Sequence, residues 1–236
     1  MSDIFKNAPV VGAIFQLRFA GETAVEAARP QIQQTLRSEL PKLYVPKCVP
    51  GEAPALQPYS LRAADDSEGI DFAVNTFSYV CKRYQGFKVF KSRFEHFFGV
   101  FSRHVSIHSL TRVGLRYVNH IPVLRESETA AIPLEEYVKV GFRLPPAIPG
   151  ANLTQLDSTF TVRIDDGRLR LALQFQKLNT PKQEEVLVLD FDFSRTEELS
   201  VDRVLEYLDK SHQHTKRIFL EMISDQYLPV MRGEEQ

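Results

Sequence analysis

The sequence predicts an α+β fold, in which amphipathic helices cover one face of a largely antiparallel sheet. Short runs of alternating apolar and polar residues indicate strands, and longer stretches with apolar residues three and four positions apart indicate helices. In the first half these elements follow the order strand, helix, strand, strand, helix, strand, which is typical of a ferredoxin-like unit. We therefore expect a single domain over residues 1–236, in which residues 1–125 and 150–230 could form two ferredoxin-like halves.

The N-terminal third predicts three strands and one helix. Residues 9–19 are rich in β-branched and aromatic side chains and predict the first strand; residues 59–64 and 70–84 predict the next two. Pro30 would interrupt a helix that ran through it, so we expect it in the first turn of a helix. The apolar positions of residues 70–84 change from even to odd numbers, and a β-bulge near Asn75 would account for this change.

The next stretch is rich in phenylalanine and strongly periodic. Phenylalanine occupies positions 87, 90, 94, 97, 98 and 101, and this spacing places the rings on one face of a helix. Aromatic stripes of this kind belong to a hydrophobic core far more often than to a cofactor site. We therefore expect a helix over residues 87–101 that packs on the sheet.

The second half begins with a predicted hairpin. Residues 158–164 and 168–175 alternate between apolar and polar side chains and flank the turn-forming sequence Asp-Asp-Gly. In this hairpin we expect Phe160, Val162 and Ile164 to face the core. Residues 185–193 predict a third strand that follows it.

The last predicted element is a long helix for which Ser200 is the candidate N-cap. Apolar residues recur at helical spacing from Val201 to Met222, and a helix of about 23 residues would span ~35 Å, enough to cross a sheet. His212 lies on this apolar stripe, whereas His214 lies on the polar face. A buried histidine is more often a satisfied core residue than an acid or base, although both roles are open for His212.

The run from residue 112 to residue 121 is the strand whose two faces differ most. Side chains alternate between the faces of a strand, so one face is apolar and carries a single amide, and the other is cationic. The first face comprises Val113, Leu115, Tyr117, Asn119 and Ile121, and the second comprises Arg112, Arg116 and His120. The cationic side chains could bind phosphates, carboxylates or an acidic protein, or they could pair with carboxylates of neighbouring strands.

Composition points to a cytoplasmic protein without an evident cofactor. The 29 basic and 30 acidic side chains nearly cancel, which argues against a surface that is wholly a nucleic-acid footprint. Cys48 and Cys81 lack the Cys-x-x-Cys spacing of zinc sites, and His104 and His108 would lie about 13 Å apart in a strand, too far apart to bind one metal ion. Asp190 and Asp192 share a strand face, but such a pair more often forms ion pairs than it binds a cation. We therefore predict no metal, no cofactor and no membrane association.

Three segments of the chain resemble a sporadically distributed, uncharacterised prokaryotic family of about this length. These segments are Asn7 to Phe19, the central sequence Gly114-Leu-Arg-Tyr-Val-Asn-His-Ile121, and the helical positions from Leu208 through His212 and Phe219 to Ile223. The family often has Glu where this chain has Gly12. The resemblance implies a single α+β domain from a bacterium or archaeon and implies no activity.

Three functions are compatible with these patterns. Common hydrolase, nucleotide-binding and zinc-protease motifs are absent from the sequence, so a non-enzymatic interaction or regulatory protein, such as an antitoxin-like or defence-associated component, is the leading prediction. It would have a protein partner, which could be a second copy of the chain. The second is a small-molecule binding or catalytic domain with a cavity near Tyr117, Asn119 and His212, and the third, less favoured, is nucleic-acid binding.

Overall fold

The computed structural model describes residues 5–46, 50–51, 56–127, 129–141, 153–164, 167–180 and 184–234. Within these residues, ten strands join in one antiparallel sheet and five α-helices accompany them. Residues 144–150, where a boundary between the two halves could fall, lie outside the described residues, as do Asp165 and Asp166 of the predicted hairpin. The sheet itself is continuous, so two separate ferredoxin-like halves are not confirmed.

The strands follow the spatial order β2-β3-β4-β5-β1-β6-β9-β8-β7, and β10 adds a short pairing to β6. Their bounds are β1 Val10–Phe19, β2 Lys42–Tyr44, β3 Tyr59–Arg62, β4 Glu68–Ala73, β5 Thr76–Cys81, β6 Ser109–Pro122, β7 Asp157–Ile164, β8 Gly167–Lys177, β9 Glu185–Arg195 and β10 Leu199–Ser200. The predicted central strand is therefore β6, which lies between β1 and β9 and extends across the middle of the sheet.

The helices supply the other layer of the fold. They are α1 Ala24–Leu36, α2 Phe87–Ser102, α3 Leu134–Tyr137, α4 Val204–Met222 and α5 Tyr227–Arg232. Side chains of all five pack on the odd-numbered positions of the central strands, such as Phe15 of β1, Leu115 of β6 and Phe191 of β9. We call this side the helix-covered face and the opposite side the open face. The predicted α+β architecture with helices on one face is thus confirmed.

Helix α1 corrects one prediction, because it runs through Pro30 instead of beginning there. Proline removes one intrahelical hydrogen bond and is normally costly inside a helix. Here Val25 and Ala28 before the proline, and Ile32 after it, are all buried in the core. Their burial favours one continuous amphipathic helix despite the missing hydrogen bond.

A two-residue turn, and not a β-bulge, explains the change of phase in residues 70–84. Strands β4 and β5 form a hairpin around Val74 and Asn75, in which Phe72 pairs directly with Phe77. The backbone N–H groups of Phe19 and Glu22 donate hydrogen bonds to the carbonyl groups of Asn75 and Val74. The turn contains no glycine, and contacts with the end of β1, distant in sequence, hold it in place.

Strand β7 corrects a second prediction. Phe160 and Val162 do not face a core: they are 41% and 47% exposed. Their direct partners on β8, Leu171 and Leu169, are buried. Because β7 has only one neighbouring strand, the alternation of its side chains specifies a strand but not burial.

The last helix differs slightly from the prediction at its start. A single 3-10 turn, Val201–Arg203, precedes α4, and the Ser200 side chain makes no capping hydrogen bond. Among the described residues, no helix has the length and apolar composition that crossing a membrane would require.

The phenylalanine stripe of α2 is the centre of the first half of the core, as predicted. The Phe94 ring lies 4.8 Å from that of Phe15 and 6.3 Å from that of Phe77, and it is fully buried. We expect Phe94→Ala to lower the free energy of unfolding by about 3–5 kcal/mol, measured by urea denaturation, because it leaves a cavity between helix and sheet. Val89→Ala, at a position of the same helix that is 45% exposed, is the control and should change it by less than about 0.5 kcal/mol. Equal effects of the two substitutions would contradict this assignment of the core.

Candidate functional site

The alternation of β6 distributes the six predicted site residues over both faces of the sheet. Tyr117 and Asn119 lie on the helix-covered face, where α4 brings His212 over them. Arg112, Arg116 and His120 lie on the open face. The six residues therefore belong to two separate places and not to a single site.

On the open face, the arginines of β6 pair with the carboxylates of β9. Arg116 donates two hydrogen bonds to Asp190, from Nε to Oδ1 and from Nη2 to Oδ2, each 2.8 Å long. Arg112 Nη2 lies 3.2 Å from Asp192 Oδ1, and Arg170 of β8 lies 3.7 Å from Asp190. These hydrogen bonds to the Asp190 carboxylate raise the pKa of Arg116. Both β6 arginines thus already have carboxylate partners within the sheet.

Gly114 makes room for this arrangement. A Cβ atom at position 114 would lie 2.7–2.9 Å from the guanidinium of Arg112, which therefore extends along the strand over the glycine. In this position Arg112 also donates a 2.9 Å hydrogen bond to Gln16 of β1. The central motif therefore has a glycine at position 114 because a side chain there would collide with the Arg112 guanidinium on the open face.

His120 lies beyond these ion pairs, opposite Val188 of β9. Its partial burial disfavours the charged imidazolium and lowers its pKa. It contributes no positive charge near neutral pH, so the predicted cationic strip contains two arginines and a neutral histidine.

The helix-covered face contains a pocket with a cavity volume of about 80 Å³ between β6 and α4. Its lining is mainly aromatic and aliphatic, with a few polar groups. It comprises Phe5, Ala8, Pro9, Val10, Tyr84, Gly86, Tyr117, Asn119, Phe191, His212, Thr215, Lys216 and Phe219. A concave apolar surface with a small number of polar groups is the usual form of a small-molecule site.

A row of hydroxyl groups and an imidazole forms one polar side of this pocket. The Tyr84 and Tyr117 hydroxyls lie 3.5 Å apart, and the Tyr117 hydroxyl lies 3.0 Å from His212 Nδ1. Burial raises the pKa of Tyr117 well above its usual value, so its hydroxyl stays protonated and can donate to the imidazole. Phe87 stacks on His212 with ring centroids 3.7 Å apart and fixes the plane of the imidazole.

Asn119 provides the second polar group of the pocket. Its side chain is 2% exposed, and its Nδ2 donates a 3.0 Å hydrogen bond to the Leu189 carbonyl. Its Oδ1 has no hydrogen-bond partner among the described residues. The Asn119 amide thus bonds to the sheet backbone, and the His212 imidazole lies against the Tyr117 hydroxyl. An amide oxygen that faces an apolar pocket is able to accept a hydrogen bond from a ligand.

The N-terminal segment forms another wall of the pocket. His120 donates a backbone hydrogen bond to the Pro9 carbonyl, and Asn7 bonds through its backbone and side chain to Met231 and Val230 of α5. Phe5, Ala8 and Pro9 are thereby held over the pocket. These residues are not among the predicted site residues, because no periodic pattern in the sequence connects positions 5–9 with the C-terminal helices.

Two lining residues that are not among the predicted site residues lie on a sequence pattern that could have indicated them. Thr215 and Phe219 lie on the predicted apolar stripe of α4, one and two turns after His212. Tyr84 and Gly86 lie in the connection before α2, and Gly86 adopts a φ of 101°, which favours glycine. Nothing in the local sequence of this connection indicates that it approaches β6.

Comparison with known proteins adds no assignment: no protein-family model matches the chain, and no curated protein is significantly similar to it. The resemblance to an uncharacterised prokaryotic family therefore stays a prediction. Among the residues that the structure describes, no three His, Cys, Asp or Glu side chains are close enough together to hold a metal ion. The candidate site accordingly rests on the geometry of the pocket.

The ion pair between Arg116 and Asp190 allows a direct test of the open face. Asp190 is 7% exposed and faces two arginines, so Asp190→Asn should lower the free energy of unfolding by about 1–3 kcal/mol, measured by urea denaturation. Asp225→Asn is the matched control, because that side chain is 88% exposed in its pair with Lys139 and should contribute less than about 0.5 kcal/mol. No loss of stability in Asp190→Asn would show that the pairing is unimportant.

Proposed function

We propose that this chain is a small-molecule-binding protein whose ligand occupies the pocket between β6 and α4. The observation that carries the proposal is the buried Asn119 side chain, whose Oδ1 has no partner among the described residues although it borders an apolar pocket. Asn119 Oδ1 is open to the pocket, so a donor group of a bound ligand can reach it and form a hydrogen bond. The pocket would therefore select a ligand that offers an N–H or O–H group at this position.

The lining restricts the chemical class of the ligand further. The rings of Phe5, Phe191 and Phe219 favour an aromatic or aliphatic body, and aromatic rings also interact favourably edge to face. We propose a compact, mainly apolar ligand with one hydrogen-bond donor.

A role in protein interaction is the second candidate, and the exposed edge strand β7 favours it. A regulatory protein could combine both properties, with the pocket for an effector and another surface for a protein partner. The cytoplasmic location and the antitoxin-like or defence-associated context remain predictions from the sequence.

Nucleic-acid binding is not favoured by the surface charges. Arg112 and Arg116 already pair with aspartates on the open face. On α2, Lys91 pairs with Asp209, and Arg93 pairs with Glu39 and Glu68. Side chains that are neutralised in this way attract phosphate groups less strongly.

His212 offers the first test of the pocket, with indole as the probe. Indole is aromatic and carries a single N–H donor, which matches the proposed class. We expect His212→Ala to weaken indole binding, measured by ligand-observed NMR, by about tenfold or more, because it removes a wall of the pocket and the partner of Tyr117.

The matched control is His214→Ala on the same helix. His214 stacks on Phe193 and does not line the pocket, so this substitution should leave indole affinity unchanged. Equal indole affinity in the wild type and His212→Ala would contradict the proposed site.

A further inference from the structure

Among the described residues, strand β7 is an edge of the sheet whose only neighbouring strand is β8. It is the last strand in the sheet order and has eight residues, of which five consecutive ones, Thr159 to Arg163, are exposed. Natural edges are commonly short or carry charged side chains, above all lysine, or proline or a bulge, all of which discourage pairing with another chain. Strand β7 contains no lysine or proline and pairs with β8 in an unbroken register.

The register with β8 determines which backbone groups of β7 point outward. Ile164 pairs directly with Gly167, and only two residues separate them, so these two must exchange both backbone hydrogen bonds. The hydrogen bond from Phe175 N–H to the Leu156 carbonyl agrees with this alternation. Even-numbered residues of β7 therefore bond to β8, and the N–H and C=O groups of residues 157, 159, 161 and 163 face outward.

We propose that β7 pairs antiparallel with β7 of a second copy of this chain, about a two-fold axis at Phe160. In this register Asp157 lies opposite the partner's Arg163, and Thr159 lies opposite the partner's Thr161. These odd-numbered positions are the ones with outward backbone groups, so the pairs can form hydrogen bonds. The two sheets then join into one continuous sheet across the dimer.

Charge complementarity favours this register. Within one chain, Arg163 lies directly opposite Arg168 of β8, and like charges at directly opposed positions are unfavourable. No described residue forms an ion pair with Arg163. The partner's Asp157 would lie on the other side of Arg163 and supply the opposite charge, while Asp157 also accepts a 3.2 Å hydrogen bond from Gln174.

Apolar contacts between side chains on the opposite face of β7 also favour this register. Phe160 would meet the partner's Phe160 at a position without backbone hydrogen bonds, where opposed side chains are closest. Val162, which is 47% exposed in one chain, would lie opposite the partner's Ser158 beside these rings. If one strand were shifted by two residues against the other, Thr161 would lie opposite the partner's Thr161, and Asp157 would no longer lie opposite the partner's Arg163. Exchanging the charges at positions 157 and 163 therefore distinguishes the two registers.

The test is sedimentation velocity of the full chain over about 5–200 µM, a range suited to a small edge-to-edge interface. We expect the wild type to form dimers, and Asp157→Arg and Arg163→Asp each to weaken dimerisation by about tenfold or more, because two attractive pairs become repulsive. An equimolar mixture of the two variants should recover dimers, since every opposed pair in the mixed dimer is again of opposite charge. Asp225→Arg, an equal charge change at an exposed residue outside β7, should leave dimerisation unchanged.

Two outcomes would overturn the proposal: a wild-type protein that stays monomeric over this range, or a mixture that associates no better than either variant alone. Circular dichroism identifies a variant that fails to fold. In that case Phe160→Arg, which places like charges at the axis on a side chain that is already 41% exposed, decides the matter: monomers support the proposal and persistent dimers contradict it. This inference is independent of the proposed pocket ligand.

Discussion

The alternation of side chains along β6 is the constraint on which the rest of the structure depends. Because β6 pairs with β1 on one side and β9 on the other, each of its side chains has a fixed face and fixed neighbours. A slip of one residue would exchange the faces and bring Arg116 into the core and Tyr117 into solvent. The strand thus determines at once the position of the pocket and the position of the ion pairs.

The two faces of the sheet differ in whether their polar side chains have partners within the protein. On the open face, Arg112 and Arg116 have carboxylates within reach on β9, so their charge is balanced inside the sheet. On the helix-covered face, Tyr117 and His212 satisfy each other, whereas Asn119 Oδ1 has no partner among the described residues. This difference separates a structural face, on which the polar side chains are paired, from a candidate binding face, on which an acceptor is open to a ligand.

Much of the architecture follows from period and composition alone. The alternation in β6, the phenylalanine stripe of α2 and the stripe of α4 each predict their elements, because packing on a single sheet selects those patterns. The errors occur where a distant contact decides. Burial of the α1 side chains in the core keeps the helix continuous through Pro30. Backbone hydrogen bonds from the end of β1 stabilise the turn at Val74 and Asn75, and the position of β7 at the sheet edge leaves Phe160 exposed.

The candidate site was predictable only in part for the same reason. Tyr117, Asn119 and His212 lie on apolar faces that have to meet, so their proximity follows from the predicted helix and sheet. The choice of Tyr117 over Asn119 as the partner of His212 depends on the rotation of α4 and on the Phe87 stack, which no sequence pattern specifies. The wall formed by Phe5 and Pro9 likewise depends on contacts with β6 and α5, at the far end of the chain.

A comparison of indole with indene tests most directly whether Asn119 accepts a hydrogen bond from a ligand in the apolar pocket. The two molecules have nearly the same shape, but only indole carries an N–H donor. We expect wild-type protein to bind indole about tenfold more tightly than indene, and Asn119→Leu, with its fold confirmed by circular dichroism, to abolish this preference. Equal affinities for the two molecules in the wild type, or a preference that survives in Asn119→Leu, would contradict it.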